Sequence, residues 1–140
     1  MSNWEKQATK LIESSLVRYE SEQKQSSLML TGESSAKRLY VYWSDTKFLK
    51  QRKINYYFGD ERCVPTDHPY SNYCMVQQTI SQERVPKVGR IFRMDVEMND
   101  LEMASKKYEN LLPESIDILL LSVGSDGYIA SLFPNSPVFA

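Results

Sequence analysis

Three short glycine-containing segments of the sequence carry residue types that bind anions or perform acid–base chemistry. The first, residues 31–35, contains Gly32, Ser34 and Ser35 and lies between a short apolar run and a helix-permissive stretch. Backbone N–H groups and serine hydroxyls in such a loop can cradle a phosphate at the positive end of a helix dipole. An ordinary helix cap, in which Ser34 or Ser35 accepts a hydrogen bond from the first free amides, uses the same residues. The segment alone is compatible with both interpretations.

The second segment places charged residues directly after an apolar strand. It runs over residues 59–65 and is followed by Asn72 within residues 71–73. Arg62 can bind a phosphate or a carboxylate in a bidentate way, and Asp60 can orient a substrate hydroxyl or act as a base. Charge at such a position is costly unless it is paired or used. The alternative to a ligand site is therefore an internal ion pair between Arg62 and an acidic residue, which ties the loop down.

The third segment, residues 122–134, follows a nearly continuous apolar run. Gly124 and Gly127 flank Asp126, and glycine permits the backbone to approach a ligand closely. We predict that Tyr128 then begins a helix, whose N-terminus points at the ligand. A simple strand-to-helix turn would use the same two glycines.

Hydrophobic spacing predicts the helices that must position these segments. Apolar residues recur at three- and four-residue steps from Trp4 to Tyr19 and again from Leu101 to Leu112, as one face of an amphipathic helix requires. Residues 36–40 favour a helix after the first segment, and residues 71 to about 82 favour one after the second.

Between the helices, apolar or β-rich runs predict strands at residues 28–30 and 54–58, a weaker strand at 91–94, and a strand buried on both faces at 116–123. Strands that alternate with helices predict an α/β fold, a three-layer α/β/α sandwich around a mostly parallel sheet. We expect residues 1–140 to form a single domain. Ligands of such sheets bind outside the carboxyl ends of the strands, so the three segments should converge on one site.

Composition argues against several classes of function. Seventeen Lys and Arg against 18 Asp and Glu give a formal net charge of -1, so no strong field favours nucleic acid or an anionic membrane. A single His and two Cys leave no metal-ligand set of useful spacing. The N-terminus lacks the apolar stretch of a signal peptide, and no run of about 18 apolar residues occurs, so we expect a cytoplasmic protein.

The three segments together resemble the signature motifs of 6-phosphogluconolactonases. Residues 58–65, which read Phe-Gly-Asp-Glu-Arg-Cys-Val-Pro, resemble the first signature together with residues 67–69 and 71–73. Residues 117–134 resemble the second, in which a leucine-rich strand is followed by Gly-x-Gly-x-Asp-Gly-His-Thr-Ala-Ser-Leu-Phe-Pro. Residues 30–36 are similar to the phosphate loop of the family, Leu-Ser-Gly-Gly-Ser-Thr-Pro.

The resemblance implies hydrolysis of 6-phosphoglucono-δ-lactone to 6-phosphogluconate, a reaction of the pentose phosphate pathway, without a metal or organic cofactor. It implies a small sugar phosphate as the ligand. In the family, the histidine of the Asp-Gly-His turn acts as the general base, while backbone amides and cationic side chains hold the phosphate. By position, the implied catalytic residues are Asp60, Asp126 and Tyr128, and the implied substrate- or phosphate-binding residues are Gly32, Ser34, Ser35, Arg62, Asn72, Gly124 and Gly127.

Several features depart from the family pattern. Tyr128 stands at the histidine position, and a phenol with a pKa of about 10 is a poor base at pH 7 compared with an imidazole of about 6.5. Glu33 replaces the second glycine of the phosphate loop, where a carboxylate repels a bound phosphate. The chain stops at Ala140, so we expect it to be truncated before the C-terminal elements that supply an Arg and a Lys to the phosphate site. His68 lies in a turn that the family does not use for its base.

Two further hypotheses therefore stand beside the lactonase. A non-catalytic sugar-phosphate-binding or interaction module accounts for Tyr128 and Glu33. A glucosamine-6-phosphate deaminase or isomerase shares the fold and the Asp-Gly-His turn, and Ile129 is a deaminase-like residue. The turn of the deaminases continues toward Phe-Asn-Glu, however, whereas residues 131–134 here read Ser-Leu-Phe-Pro, which favours the lactonase.

Overall fold

The computed structural model describes residues 3–19, 25–80 and 89–137. In chain order the elements are α1 (Trp4–Tyr19), β1 (Ser26–Leu30), α2 (Glu33–Ser44), α3 (Lys47–Gln51), β2 (Ile54–Phe58), α4 (Asn72–Thr79), α5 (Leu101–Glu109) and β3 (Ile118–Leu119). The predicted helix from 71 to about 82 begins where expected, and its last residues lie outside the described ranges. The expectation of a single domain over residues 1–140 stays a prediction.

The three strands form one parallel sheet in the order β2-β1-β3. Leu28 of β1 lies opposite Tyr56 on one side and Ile118 on the other. Asp117 secures the start of β3, because its carboxylate accepts hydrogen bonds from the Ser27 backbone N–H at 2.8 Å and the Ser27 hydroxyl at 3.0 Å. The predicted α/β class with a mostly parallel sheet is confirmed.

One face of the sheet carries the main hydrophobic core. Alternate residues of a strand point to the same face, and on this face they are fully buried large side chains. They pack against the apolar stripes of the helices: the sheet contributes Leu28, Leu30, Tyr56 and Phe58, and the helices contribute Ile12, Leu16, Leu39, Trp43 and Val76. This packing explains the three- and four-residue spacing of apolar residues in the sequence, because the apolar face of each of these helices packs against the same face of the sheet.

The opposite face is covered in part by the segment around Phe92 and by α5. The ring of Tyr57, which points to this face, stacks on Phe92 with centroids 4.7 Å apart. Tyr108 of α5 is buried against β2, where its hydroxyl hydrogen-bonds to the Phe58 backbone. Helices and connecting chain thus lie on both sides of the sheet, as the three-layer prediction requires.

Two buried tyrosine hydroxyls complete the hydrogen bonding where the strands end. The Tyr40 hydroxyl accepts from the Thr31 N–H at 3.0 Å and donates to the Thr31 carbonyl at 2.9 Å. The Tyr108 hydroxyl does the same for Phe58, at 2.7 and 3.0 Å. Burial raises the pKa of Tyr108 to about 12 and also raises that of Tyr40, so both phenols remain protonated. Backbone groups at the buried rim, which would be costly if unpaired, are thereby satisfied.

Two predicted strands differ from the structure. The weaker strand at 91–94 is reduced to a bridge between Ile91 and Tyr56. The run at 116–123 forms a strand over Ile118–Leu119 alone, and Leu119 and Leu121 are 51% and 53% exposed. The prediction of a strand buried on both faces is therefore wrong. A continuous apolar run indicates double burial only where a layer covers each face, and among the described residues the second face of β3 is open.

None of the helices within the described ranges is long and apolar enough to cross a membrane.

The buried tyrosines provide a matched test of the packing. Tyr40 and Tyr56 are 0% and 2% exposed, but the Tyr56 hydroxyl has no hydrogen-bond partner among the described residues. Removing this hydroxyl by Tyr56→Phe should leave the free energy of unfolding unchanged or increased. Tyr40→Phe should lower it by about 1–3 kcal/mol, because two buried backbone groups of Thr31 lose their partner. Urea denaturation followed by circular dichroism measures both, and equal destabilisation by the two variants would contradict the assignment.

Candidate functional site

Three loops converge on a narrow cleft at the carboxyl ends of the strands. The cleft is lined by residues that follow β1, β2 and β3 in turn: Thr31, Gly32 and Glu33, then Asp60 and Arg62, then Ser122, Tyr128 and Ala130. The predicted convergence of the three segments is confirmed. Its cause is the parallel sheet, since the strands all end at one edge.

Close contacts hold the first loop against the other two. A Cβ at Gly32 would collide with the Asn72 side chain, so only glycine lets these loops approach so closely. On the other side, the Ser122 N–H donates to the Thr31 hydroxyl at 3.3 Å, and the Ser122 hydroxyl donates to the Gly32 carbonyl at 3.4 Å. The role of Gly32 here is steric.

Asn72 positions the two charged residues of the second loop. Its amide group donates to the Asp60 carbonyl at 3.0 Å and to the Asp60 carboxylate at 3.3 Å, while its oxygen accepts from Arg62 Nη1 at 3.3 Å. Asp60 is 8% exposed and also accepts a 2.6 Å hydrogen bond from the Ser131 hydroxyl. Two hydrogen-bond donors, from Asn72 and Ser131, therefore fix the position of the Asp60 carboxylate in the cleft.

Arg62 forms an ion pair with Glu33 across the cleft. Its Nη2 lies 2.7 Å from Glu33 Oε1, and the two side chains are 36% and 35% exposed. The internal ion pair that stood as the alternative to a ligand site is therefore present, and its acidic partner comes from the first loop. Glu33 has a φ of +79°, a conformation that costs a non-glycine residue roughly 1–2 kcal/mol. A glycine at this position would adopt the same backbone conformation without that cost.

The Tyr128 hydroxyl completes this cluster by hydrogen bonding to Glu33. The pKa of Tyr128 is raised, first by that hydrogen bond, then by desolvation and by the negative charges of Glu33 and Asp126, while Arg62 opposes the shift. A phenol with a raised pKa stays protonated at neutral pH. Tyr128 is thus a hydrogen-bond donor in the cleft and not a proton acceptor.

No helix begins at Tyr128, so that prediction is wrong. The Gly124 N–H donates to the Tyr128 carbonyl at 2.8 Å, and the Gly127 N–H donates to the Gly124 carbonyl at 2.9 Å. Val123 then bridges Ile129 in antiparallel fashion. Gly127 has a φ of +85°, which reverses the chain into a tight turn where a helix would need the opposite sign of φ. This loop therefore presents Tyr128 from a hairpin-like turn.

Glu61 has a structural role that the sequence did not suggest. Its carboxylate accepts from the backbone N–H groups of Arg62, Asn72 and Tyr73 at 2.8, 2.7 and 2.8 Å. Two of these amides belong to the first turn of α4, whose N-cap Ser71 accepts from the Cys74 N–H. An acidic side chain at a helix N-terminus is favourable. The sequence signal for this role is an acidic residue upstream of α4, but ten residues separate Glu61 from Asn72, the first residue of the helix.

The cleft does not include every predicted site residue. Ser34 lines a groove with Lys37 and Arg38, and Ser35 lines a different cavity beside Tyr40. Asp126 is exposed and acts on Tyr128 only through its charge. Gly32, Asp60, Arg62 and Tyr128 line the cleft, Asn72 lies behind it, and Gly124 and Gly127 form the turn. Their catalytic and binding roles remain predictions.

Within the ranges that the structure describes, no group of three or more His, Cys, Asp or Glu side chains could hold a metal ion.

The capping role of Glu61 can be measured directly. Glu61→Gln should lower the free energy of unfolding by about 1–3 kcal/mol, because an ionised acceptor of several backbone hydrogen bonds is lost. Glu102→Gln removes the same charge from an exposed residue that pairs only with Lys106 among the described contacts, and it should change stability by less than about 0.5 kcal/mol. Comparable losses in the two variants, measured by urea denaturation, would contradict the role.

The sequence of the chain is similar to those of known proteins. A family model described as glucosamine-6-phosphate isomerases/6-phosphogluconolactonase matches residues 2–140. The 6-phosphogluconolactonase of Synechocystis sp. is 34% identical over 127 residues, which cover 83% of this chain and 52% of that protein. That of Haemophilus influenzae is 29% identical over 120 residues, or 80% of this chain and 51% of that protein. The chain spans about half the length of these curated relatives.

Solved structures agree with the fold. A 6-phosphogluconolactonase from Trypanosoma cruzi is 26% identical and superposes with a TM-score of 0.79, covering 96% of this chain and 60% of that chain. One from Thermotoga maritima has a TM-score of 0.81 at 24% identity, covering 97% of this chain and 65% of that chain, and its likeness concerns the fold alone. With a family model matched along nearly its whole length, the chain belongs to the glucosamine-6-phosphate isomerase/6-phosphogluconolactonase family.

Proposed function

We propose that this chain is a 6-phosphogluconolactonase-like hydrolase, which converts 6-phosphoglucono-δ-lactone and water to 6-phosphogluconate. The observation that carries the proposal is the meeting of Gly32, Arg62 and Tyr128 in one cleft, from three segments distant in the sequence, with Asp60 beside them. The names of the curated relatives support the same activity. The single-domain organisation and the cytoplasmic location expected from the sequence stay predictions.

The reaction needs a proton acceptor and a donor toward the ester. Water attacks the lactone carbonyl carbon and gives up a proton, the carbonyl oxygen becomes negative, and the ring C–O bond breaks as its oxygen gains a proton. In this proposal Asp60 is the proton acceptor, since an ionised carboxylate has about four acceptor positions and Ser131 and Asn72 use two. The Tyr128 hydroxyl suits the complementary role, because a protonated phenol can donate to the developing oxyanion.

Arg62 is the proposed phosphate ligand of the cleft. Its guanidinium can bind two phosphate oxygens at once, and the loop at residues 32–35 brings backbone amides at the start of α2 to the same rim. The Glu33 carboxylate already bound to Arg62 opposes this role. We therefore expect weak affinity for the phosphorylated substrate.

The second candidate function is a non-catalytic sugar-phosphate-binding or interaction module. Two observations favour it: the raised pKa of Tyr128, which removes it as a base, and the occupation of Arg62 by Glu33. Deaminase or isomerase chemistry is disfavoured by the residues 131–134, and the relatives compared above carry the lactonase name.

Restoring an imidazole separates the first two functions. Tyr128→His should raise the rate of lactone hydrolysis by about 10²- to 10⁴-fold over the chain with Tyr128, because an imidazole with a pKa of about 6.5 is a better general base at neutral pH than the Asp60 carboxylate. Titration at constant pH measures the rate, with 6-phosphogluconate binding followed by calorimetry.

Tyr19→His is the matched control. Tyr19 is the last residue of α1 and precedes the amino end of β1 in the chain, whereas the cleft lies at the carboxyl ends of the strands. Turnover should not change in that variant. If the chain and its variants bind 6-phosphogluconate but none of them hydrolyses the lactone, the non-catalytic module is favoured. If Tyr128→His neither binds 6-phosphogluconate nor hydrolyses the lactone, the lactonase proposal is rejected.

A further inference from the structure

Glu33 is held in an unfavourable backbone conformation at the centre of the cleft. Its φ of +79° is the left-handed region, which disfavours any residue with a Cβ. Strain of this kind persists where surrounding contacts impose it, and it concentrates at ligand sites and switches. The Glu33 side chain pairs with Arg62 and lines the same cleft as Tyr128.

The carboxylate of Glu33 uses the cleft groups that would bind an anion. Arg62 Nη2 faces Glu33 at 2.7 Å, and Arg62 Nη1 is directed to the Asn72 side chain and the Tyr70 carbonyl at 3.3 and 3.5 Å. Both terminal nitrogens of Arg62 therefore have acceptors within the chain. An external phosphate can form a bidentate pair with this guanidinium only by displacing one of them, and the carboxylate is the one that carries charge.

We propose that Glu33 is a built-in anion that competes with the phosphate of the ligand for Arg62 and Tyr128, and so makes the cleft self-inhibited toward phosphorylated ligands. The identity of the ligand rests on the proposed function. The apparent affinity of a site that must first release an internal competitor is reduced by the fraction of molecules in the released state. Like charge between carboxylate and phosphate adds to the reduction. Uncharged ligands that do not use Arg62 should be unaffected.

A purely structural role makes a different prediction. Glu33 is also the acidic residue in the first turn of α2, where a negative side chain favours the helix dipole. If that were its whole function, neutralising Glu33 would lower stability and leave phosphate binding unchanged. Competition predicts tighter binding of phosphate in the same variant.

The test compares three probes on the chain and on Glu33→Gln, which removes the charge and keeps the size of the side chain. Inorganic phosphate and 6-phosphogluconate should each bind on the order of tenfold to 100-fold more tightly to the variant, the range expected for releasing one charge-assisted hydrogen-bonded pair. Glucose, which carries no charge, should show an unchanged dissociation constant. Calorimetry or chemical-shift titration gives the three constants.

Two further variants keep the result interpretable. Glu102→Gln makes the same change of net charge on the exposed face of α5 and should leave all three constants unchanged. Adding Arg62→Ala to Glu33→Gln should abolish the gain. An unchanged or weaker affinity for phosphate in Glu33→Gln, with its circular dichroism spectrum intact, overturns the inference, and so does an equal gain in Glu102→Gln.

The inference and the proposed function can fail separately. Tighter phosphate binding in Glu33→Gln, with 6-phosphogluconate bound no better than inorganic phosphate, supports the competition and counts against a sugar-phosphate ligand. Lactone turnover by Tyr128→His without any effect of Glu33→Gln on binding supports the enzyme and overturns the competition.

Discussion

The parallel pairing of β1 with both of its neighbours is the constraint on which the cleft depends. Leu30 lies opposite Phe58, and the Gly59 N–H donates to the Leu30 carbonyl at 3.0 Å, so the loops after β1 and β2 leave the sheet side by side. On the other side, the Leu120 N–H donates to the Met29 carbonyl at 3.0 Å, which brings the third loop to the same edge. Residues separated by almost a hundred positions can then share one small volume.

The rim of the sheet is completed by side chains rather than by further strands. Tyr40 and Tyr108 satisfy backbone groups beyond β1 and β2, and Glu61 satisfies the amides that open α4. Asn72 then links Asp60 to Arg62. The second loop is therefore held in place by hydrogen bonds to Asn72 and to the first turn of α4.

Glu33 and Tyr128, which the sequence analysis predicts to depart from the family pattern, lie together in the cleft. The Tyr128 hydroxyl hydrogen-bonds to the Glu33 carboxylate, and Arg62 pairs with the same carboxylate. A histidine and a glycine at these positions would leave Arg62 without this partner. The cleft therefore combines turns that resemble the family motifs with an internal ion pair between Glu33 and Arg62.

The sequence by itself determined the helices α1, α2, α4 and α5, the parallel sheet and the meeting of three segments. These follow from local periodicity and from the rule that parallel strands end at a common edge. Only the tertiary structure decided that Arg62 pairs with Glu33, that Glu61 caps α4, and that Ser34 faces away from the cleft. Such choices depend on distances between residues far apart in the chain and on the sign of φ at single positions, as at Gly127. Neither quantity has a local pattern in the sequence, because both are imposed by packing that forms only when the whole sheet is assembled.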